Sequence, residues 1–196
     1  MNLLLVLNWL IVVIIGLCVF SIVFAVFIDF LEFHPRKNQK KEKKSIVETG
    51  TMFLFFFLFY FVVRFQVGVF NLGFSIWRSI LIFLCLLIII FGTYMNVRGR
   101  FYLGKNWSNQ IKIYKDHYLV SSGPYKIVRH PLYASLIWIF YACSIIYLNW
   151  AAFLLNSFIF VPMMVYRARQ EEKLLSEQFK NYRDYKNKTG MFFPKW

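Results

Sequence analysis

Apolar residues dominate five stretches of this chain, roughly 3–28, 50–70, 75–96, 131–148 and 150–166. Each is close to the ~20 residues that a helix needs to cross a bilayer. Polar residues are confined to the intervals between them and to the tail. The pattern predicts an all-α fold: a polytopic membrane helix bundle of five transmembrane helices, forming a single integral-membrane domain over 1–196. The first stretch has no basic leader, is too long for a signal peptide and lacks a small-x-small site, so it is expected to remain as a span.

The intervals differ in kind. The loop 71–75 is short, nearly uncharged and rich in turn formers, and Asn149-Trp150 leaves almost no loop between the fourth and fifth spans. Those two spans should form a tight hairpin. Residues 97–130 instead spend about thirty positions outside the apolar core, and long connections in compact proteins tend to be functional. Apolar and charged residues interleave there, which suits a cytoplasmic interfacial loop. Residues 171–188 place Leu174, Leu175, Phe179, Tyr182 and Tyr185 at helical spacing, which predicts a C-terminal amphipathic helix.

Charge fixes an expected orientation. Of the 23 Lys and Arg, 21 fall in three segments, 36–44, 98–129 and 167–195. With five spans these lie on one side, which the positive-inside rule makes cytoplasmic, giving N-out/C-in. The formal net charge of +14 is therefore a topology signal. No nucleic-acid partner is implied; the partner is the lipid bilayer. Cys18, Cys85 and Cys143 all lie in apolar stretches with no C-x-x-C pair, so neither a disulfide framework nor a metal site is expected.

Residues 99–105 (GRFYLGK) match a phosphate-binding loop through its lysine, but Asn106 stands where Ser or Thr is needed and no strand precedes it. Two other clusters make joint physical sense. Gly123-Pro124 sets a turn. Arg129 and His130 come just before Pro131, which suits the first turn of the fourth span. Backbone N–H groups there attract anions, and Arg129 adds a forked donor suited to a carboxylate. At the far end of the fifth span, Arg167 and Glu171 share a helix face at i, i+4, and Arg169 can meet Glu172 at i, i+3. A cation at the depth of Arg167 is costly without a partner.

Arg129-His130-Pro131-Leu132-Tyr133 followed some forty residues later by Glu171-Glu172 resembles the signature of the isoprenylcysteine carboxyl methyltransferase family, whose wider superfamily includes phospholipid N-methyltransferases. The likeness extends through Gly104-Lys105-Asn106-Trp107-Ser108, His117-Tyr118-Leu119-Val120, Gly123-Pro124-Tyr125, and Phe179, Tyr182 and Tyr185. It covers about 95–190, which would then be the cofactor-binding core, with 1–70 supplying N-terminal helices and the basic loop. No Gly follows Phe179, where the family usually has one.

The resemblance implies a membrane methyltransferase using S-adenosylmethionine, leaving S-adenosylhomocysteine, with a lipid-tailed small molecule or prenylated protein as substrate and an active site facing the cytoplasm. His117, Tyr118, Leu119, Val120, Tyr125, Arg129, His130, Pro131, Leu132 and Glu171 would surround the cofactor, with Glu171 and Glu172 both open as the acidic ligand. Arg167 would orient a methyl-accepting carboxylate. An amine acceptor would need a base, for which Glu172 or His130 could serve. A lipid amine N-methyltransferase and a non-catalytic membrane protein of the same fold are the other readings.

Overall fold

A computed structural model of the chain describes residues 3–32, 39–43, 46–70, 72–73, 75–106, 111–114 and 118–195. Its helices are α1 (Leu3–Glu32), α2 (Ile46–Arg64), α3 (Ile76–Leu103), α4 (Pro124–Ile127), α5 (Pro131–Ile146), α6 (Trp150–Leu155), α7 (Val161–Gln178) and α8 (Tyr182–Lys188). Apolar runs in lipid must satisfy their backbone internally, which is why they are helical. Among the described residues three helical stretches are long and apolar enough to cross a membrane, Val6–Leu31, Ile76–Leu103 and Trp150–Gln178. Two shorter apolar helices, Gly50–Arg64 and Pro131–Ile146, pack among them.

One element departs from an all-α expectation. Residues of the basic loop and of the long connection pair as a two-stranded antiparallel ribbon, β1 (Gln39–Lys43) with β2 (Ile111–Tyr114), with Lys41 opposite Ile113. The sequence pattern reads as a solvated basic loop and an interfacial connection, because QKKEK carries no apolar alternation and that of Ile111-Lys112-Ile113 is too short to stand out as a strand.

At one end of the bundle the two short connections close on each other. Phe70 N donates to Leu148 O at 3.0 Å, Trp150 N to Gly68 O at 3.0 Å, and Asn149 Nδ2 to Val62 O at 3.3 Å. At the other end lie the ribbon, the start of α5 and the end of α7. α6 and α7 are one continuous rod interrupted by a π-turn at Asn156–Phe160. Pro162 sits just beyond, and its missing N–H and ring are accommodated by that wider turn. The rod runs on to Gln178 and breaks at Phe179, whose backbone is extended. The amphipathic segment expected over 171–188 is therefore two helices, because α8 folds back to bury Tyr182.

The closest packing, α3 against α5, positions the functional end. At Gly92 an added Cβ would lie 3.0 Å from Ile139 Cγ1, and at Gly99 it would lie 3.1 Å from Leu132 Cδ2. Small residues at such crossings let helices approach in lipid. Between them Asn96, fully buried, donates from Nδ2 to Ser135 Oγ at 2.8 Å and Leu132 O at 3.2 Å. The apolar core is a Phe55, Phe59, Phe140 and Phe160 cluster, with the Phe55 and Phe160 rings stacked at 4.6 Å.

Candidate functional site

The turn before α5 is held from two sides. Gly123 has φ +58, and a Cβ there would meet the Tyr102 ring at 2.5 Å, so only glycine fits. Pro124 starts α4 and Pro131 starts α5, with His130 at the N-cap. The segment after α8 then closes over the turn: Arg129 N donates to Gly190 O at 2.8 Å and His130 N to Met191 O at 3.2 Å.

The polar clusters meet here. Glu172 on α7 is buried and accepts from Arg129 Nε at 2.8 Å, lies 3.3 Å from His130 Nε2, and pairs with Lys186 Nζ at 2.9 Å. Glu171, its neighbour in sequence, points elsewhere. Its carboxylate lies 3.4 Å from His130 Nδ1, accepts the Tyr133 hydroxyl and stands 3.9 Å from Arg167 Nε. The His130 ring thus bridges the two acids and stacks on Tyr133 at 5.7 Å. Burial pulls the His130 pKa down, but hydrogen bonds and charge from Glu171 and Glu172 outweigh it and hold the pKa above its ordinary value. With both ring nitrogens facing carboxylates, the imidazolium is the form that satisfies them.

Arg167 is buried, with Cζ 5.9 Å from the Tyr133 ring centroid and Nη1 3.3 Å from Met52 Sδ on α2. The expected i, i+4 approach to Glu171 is present. Arg169 is exposed, and Glu172 takes Arg129, His130 and Lys186 in its place, because the Arg129 turn lies on the buried side of α7. The Arg129 fork is engaged by Glu172 through Nε and by the carbonyls of Lys186 and Thr189 through Nη1.

One cavity of about 580 Å³ runs past this cluster. Its polar end is lined by Tyr118, Leu119, Val120, Tyr125, Arg129, His130, Pro131, Leu132, Arg167 and Glu171. Nine of the ten positions singled out as cofactor-binding therefore share a cavity wall with Arg167; the tenth, His117, lies outside the described residues. Glu172 is not on that wall and backs the turn from behind. Tyr125 is buried, and burial first, then the Glu171 charge, pushes its hydroxyl pKa up and keeps it neutral. Tyr185 donates to Tyr125 O at 2.6 Å, tying α8 to the same wall. The other end is apolar, formed by Val19, Ile22, Val23 and Val26 of α1 with Met52 and Phe56 of α2. No cluster of three or more metal-ligating side chains occurs among the described residues.

Sequence reasoning missed Arg100, which lines the cavity, and its partner Asp29 on α1, 2.5 Å from Arg100 Nη1. An acid at the end of the first apolar run, ahead of Glu32, was the available signal. Lys186 and Thr189 were also missed; they follow from the fold-back of α8.

These features define a helical membrane protein with a mixed cavity that joins an ion-paired pole to an apolar arm. The model of the isoprenylcysteine carboxyl methyltransferase family matches residues 83–177, just under half of the chain. A protein-S-isoprenylcysteine O-methyltransferase of Saccharomyces cerevisiae is 34% identical over 113 residues, which cover 56% of this chain and 47% of the relative. The chain thus matches about half the length of that curated relative.

Proposed function

We propose that this chain is an integral-membrane methyltransferase that uses S-adenosylmethionine to methylate the carboxylate of a prenylcysteine or another lipid-tailed acid. The observation that carries the reading is the place of Arg167. Its guanidinium stands between Glu171 and Met52, where the polar pole of the cavity meets the apolar arm. An acid borne on a hydrocarbon tail would put its carboxylate at that junction. The residues present also fit the cofactor. Glu171 would hold an amino or ribose group, and Tyr125, Leu119, Val120 and Leu132, which line the same cavity, would supply an apolar wall for adenine. The cavity volume falls inside the range of about 300–1,000 Å³ usual for small-molecule sites.

When bound, S-adenosylmethionine supplies a methyl group on a sulfonium: its S–C bond breaks as a carboxylate oxygen forms the new C–O bond, and the opposite charges cancel into thioether and ester. Arg167 orients the acceptor carboxylate, which is already ionised and needs no base. Positioning and exclusion of water then carry the rate. His130 holds Glu171 in place through Nδ1, while Glu172 and Arg129 fix the turn behind it. A carboxylate is favoured over an amine acceptor because Glu172 faces away from the cavity and both nitrogens of His130 face acids, which leaves neither well placed to take an ammonium proton.

In the bilayer, we read the two shorter helices as spans too, giving five, with the basic segments and the polar pole on the cytoplasmic side. Sixteen residues give α5 a length of about 24 Å against a hydrocarbon core of about 30 Å, a mismatch that local thinning of the bilayer accommodates. Residues 95–190 act as the chemistry-bearing core, and 1–70 wall the apolar arm. Offering S-farnesyl cysteine and phosphatidylethanolamine side by side with labelled methyl donor tests this. Label on the farnesyl acid, lost in Arg167→Ala, is expected; label on the amine alone, or on neither, would overturn it.

A further inference from the structure

We infer that Asp29 and Arg100 form a positioning pair that fixes α1 as the wall of the apolar arm and thereby sets which acceptor tails the cavity admits. This rests on the reading above for the acceptor, and on three independent observations for the pair itself.

The first is how shallowly α1 packs along α3, with Leu7, Ile15, Cys18 and Ile22 only partly buried against the core. Only 6% of its spanning window is buried, with Ile11 and Ala25 its buried side chains among the described residues. In lipid, apolar contact between helices carries little driving force, and polar contacts act as the glue. The second is the burial of the pair and the polar contacts that continue from it. Arg100 Nη1 lies 2.5 Å from Asp29 Oδ2, with the side chains only 12% and 14% exposed. Arg100 Nε donates to Asn96 Oδ1 at 3.0 Å, and Asn96 passes the connection to Ser135 Oγ and Leu132 O. A polar chain thus runs from α1 through α3 to the first turn of α5. The third is register. Val19, Ile22 and Val26 line the cavity at spacings of three and four, and Asp29 follows Val26 by three, so it lies on the same stripe. Asp29 itself is not a lining residue. It acts by holding the stripe that is.

An acid within an otherwise apolar helix is costly unless it has a task. A salt bridge made only for stability could sit anywhere on α1. Here it sits between the cavity-lining Val26 and Phe30 and is tied through Asn96 to the backbone at Leu132, on the polar wall. Loosening it should change tail recognition while leaving the cofactor pole intact.

The test uses the full-length protein with Cys18, Cys85 and Cys143 replaced by alanine and spin labels at Phe27→Cys on α1 and Phe101→Cys on α3, both exposed positions. Pulsed electron resonance should give one narrow distance in the parent and a broadened, longer distribution in Asp29→Asn, with Asp29→Glu close to the parent. In parallel, Asp29→Asn should raise KM for an S-farnesyl acceptor roughly fivefold, the scale of one interhelical polar contact in a membrane. Its kcat and S-adenosylhomocysteine affinity should stay near the parent values, and its discrimination between farnesyl and geranylgeranyl tails should shrink. Unchanged distances in Asp29→Asn would overturn the pair's positioning role, and changed distances with unaltered tail discrimination would overturn its role in specificity. If the parent methylates neither acceptor, the proposed activity falls instead, while the distances still decide whether the pair holds α1.

Discussion

The two halves of this molecule use opposite means to hold together. In the first, α1 and α2 present Trp9, Phe20, Phe24, Phe53 and Phe57 outward, each more than half exposed, as lipid-facing surfaces do. Their one deeply placed charge pair among the described residues joins α1 to α3. In the second, from α3 onward, small residues bring helices close, and buried polar groups meet across helices and turns: Asn96 with Ser135, Arg129 with Glu172, His130 with both acids. The family match begins at residue 83 and so coincides with the second half. The lesson is that the polar matching, far more than the apolar packing, makes this bundle specific. Lipid can replace an apolar neighbour, but nothing in a bilayer replaces a lost ionic partner.

That contrast can be broken at defined points. Glu172→Gln should be the most damaging change to the fold. It leaves the Arg129 guanidinium buried without a counter-charge, at a cost of about 3 kcal/mol or more. Thermal unfolding in detergent should show the loss, with Arg129→Gln equally harmful. Arg167→Ala should lower kcat about 100-fold, the scale of a misplaced acceptor. The affinity for S-adenosylhomocysteine should hold, as a titration would show. Gly123→Ala should cost about 1–3 kcal/mol, since its backbone is left-handed and the Tyr102 ring occupies the Cβ position.

His130 predicts a pH dependence. Because folding raises its pKa above the ordinary 6.5, its contribution is whole below that value and is lost as pH climbs through the raised one. Melting temperature should fall as pH rises through that raised pKa, and His130→Gln should flatten the slope. The smallest effect belongs to the first half. Phe24→Leu on the lipid face of α1 should shift stability by no more than about 0.5 kcal/mol.

Much of this was legible in the residues. The proline at the start of α5, the arginine and histidine before it and the paired acids some forty positions on each carry a physical reason, and they converge as expected. Other features needed the third dimension. Glu171 and Glu172 are chemically alike, and only the roughly 100° between successive helical residues sends one to the cavity and the other to Arg129. Arg129 reads as an anion-binding fork, but the carbonyls that engage it come from a chain segment about sixty residues away. Phe179 looks like another position on an amphipathic stripe, yet it ends α7 because Tyr182 is buried by turning back. Asp29 and Arg100 are separated by 71 residues, and no local pattern joins them.

The central claim is that the turn before α5 and the acids of α7 enclose one sulfonium nucleoside at a shared pole. The most direct measurement is calorimetric titration of S-adenosylhomocysteine into the detergent-solubilised protein and its Glu171→Ala variant. Saturable one-to-one binding that the variant weakens at least tenfold, about the worth of a charge-assisted hydrogen bond, is the predicted result. No binding to the parent, or equal binding to both, would contradict it.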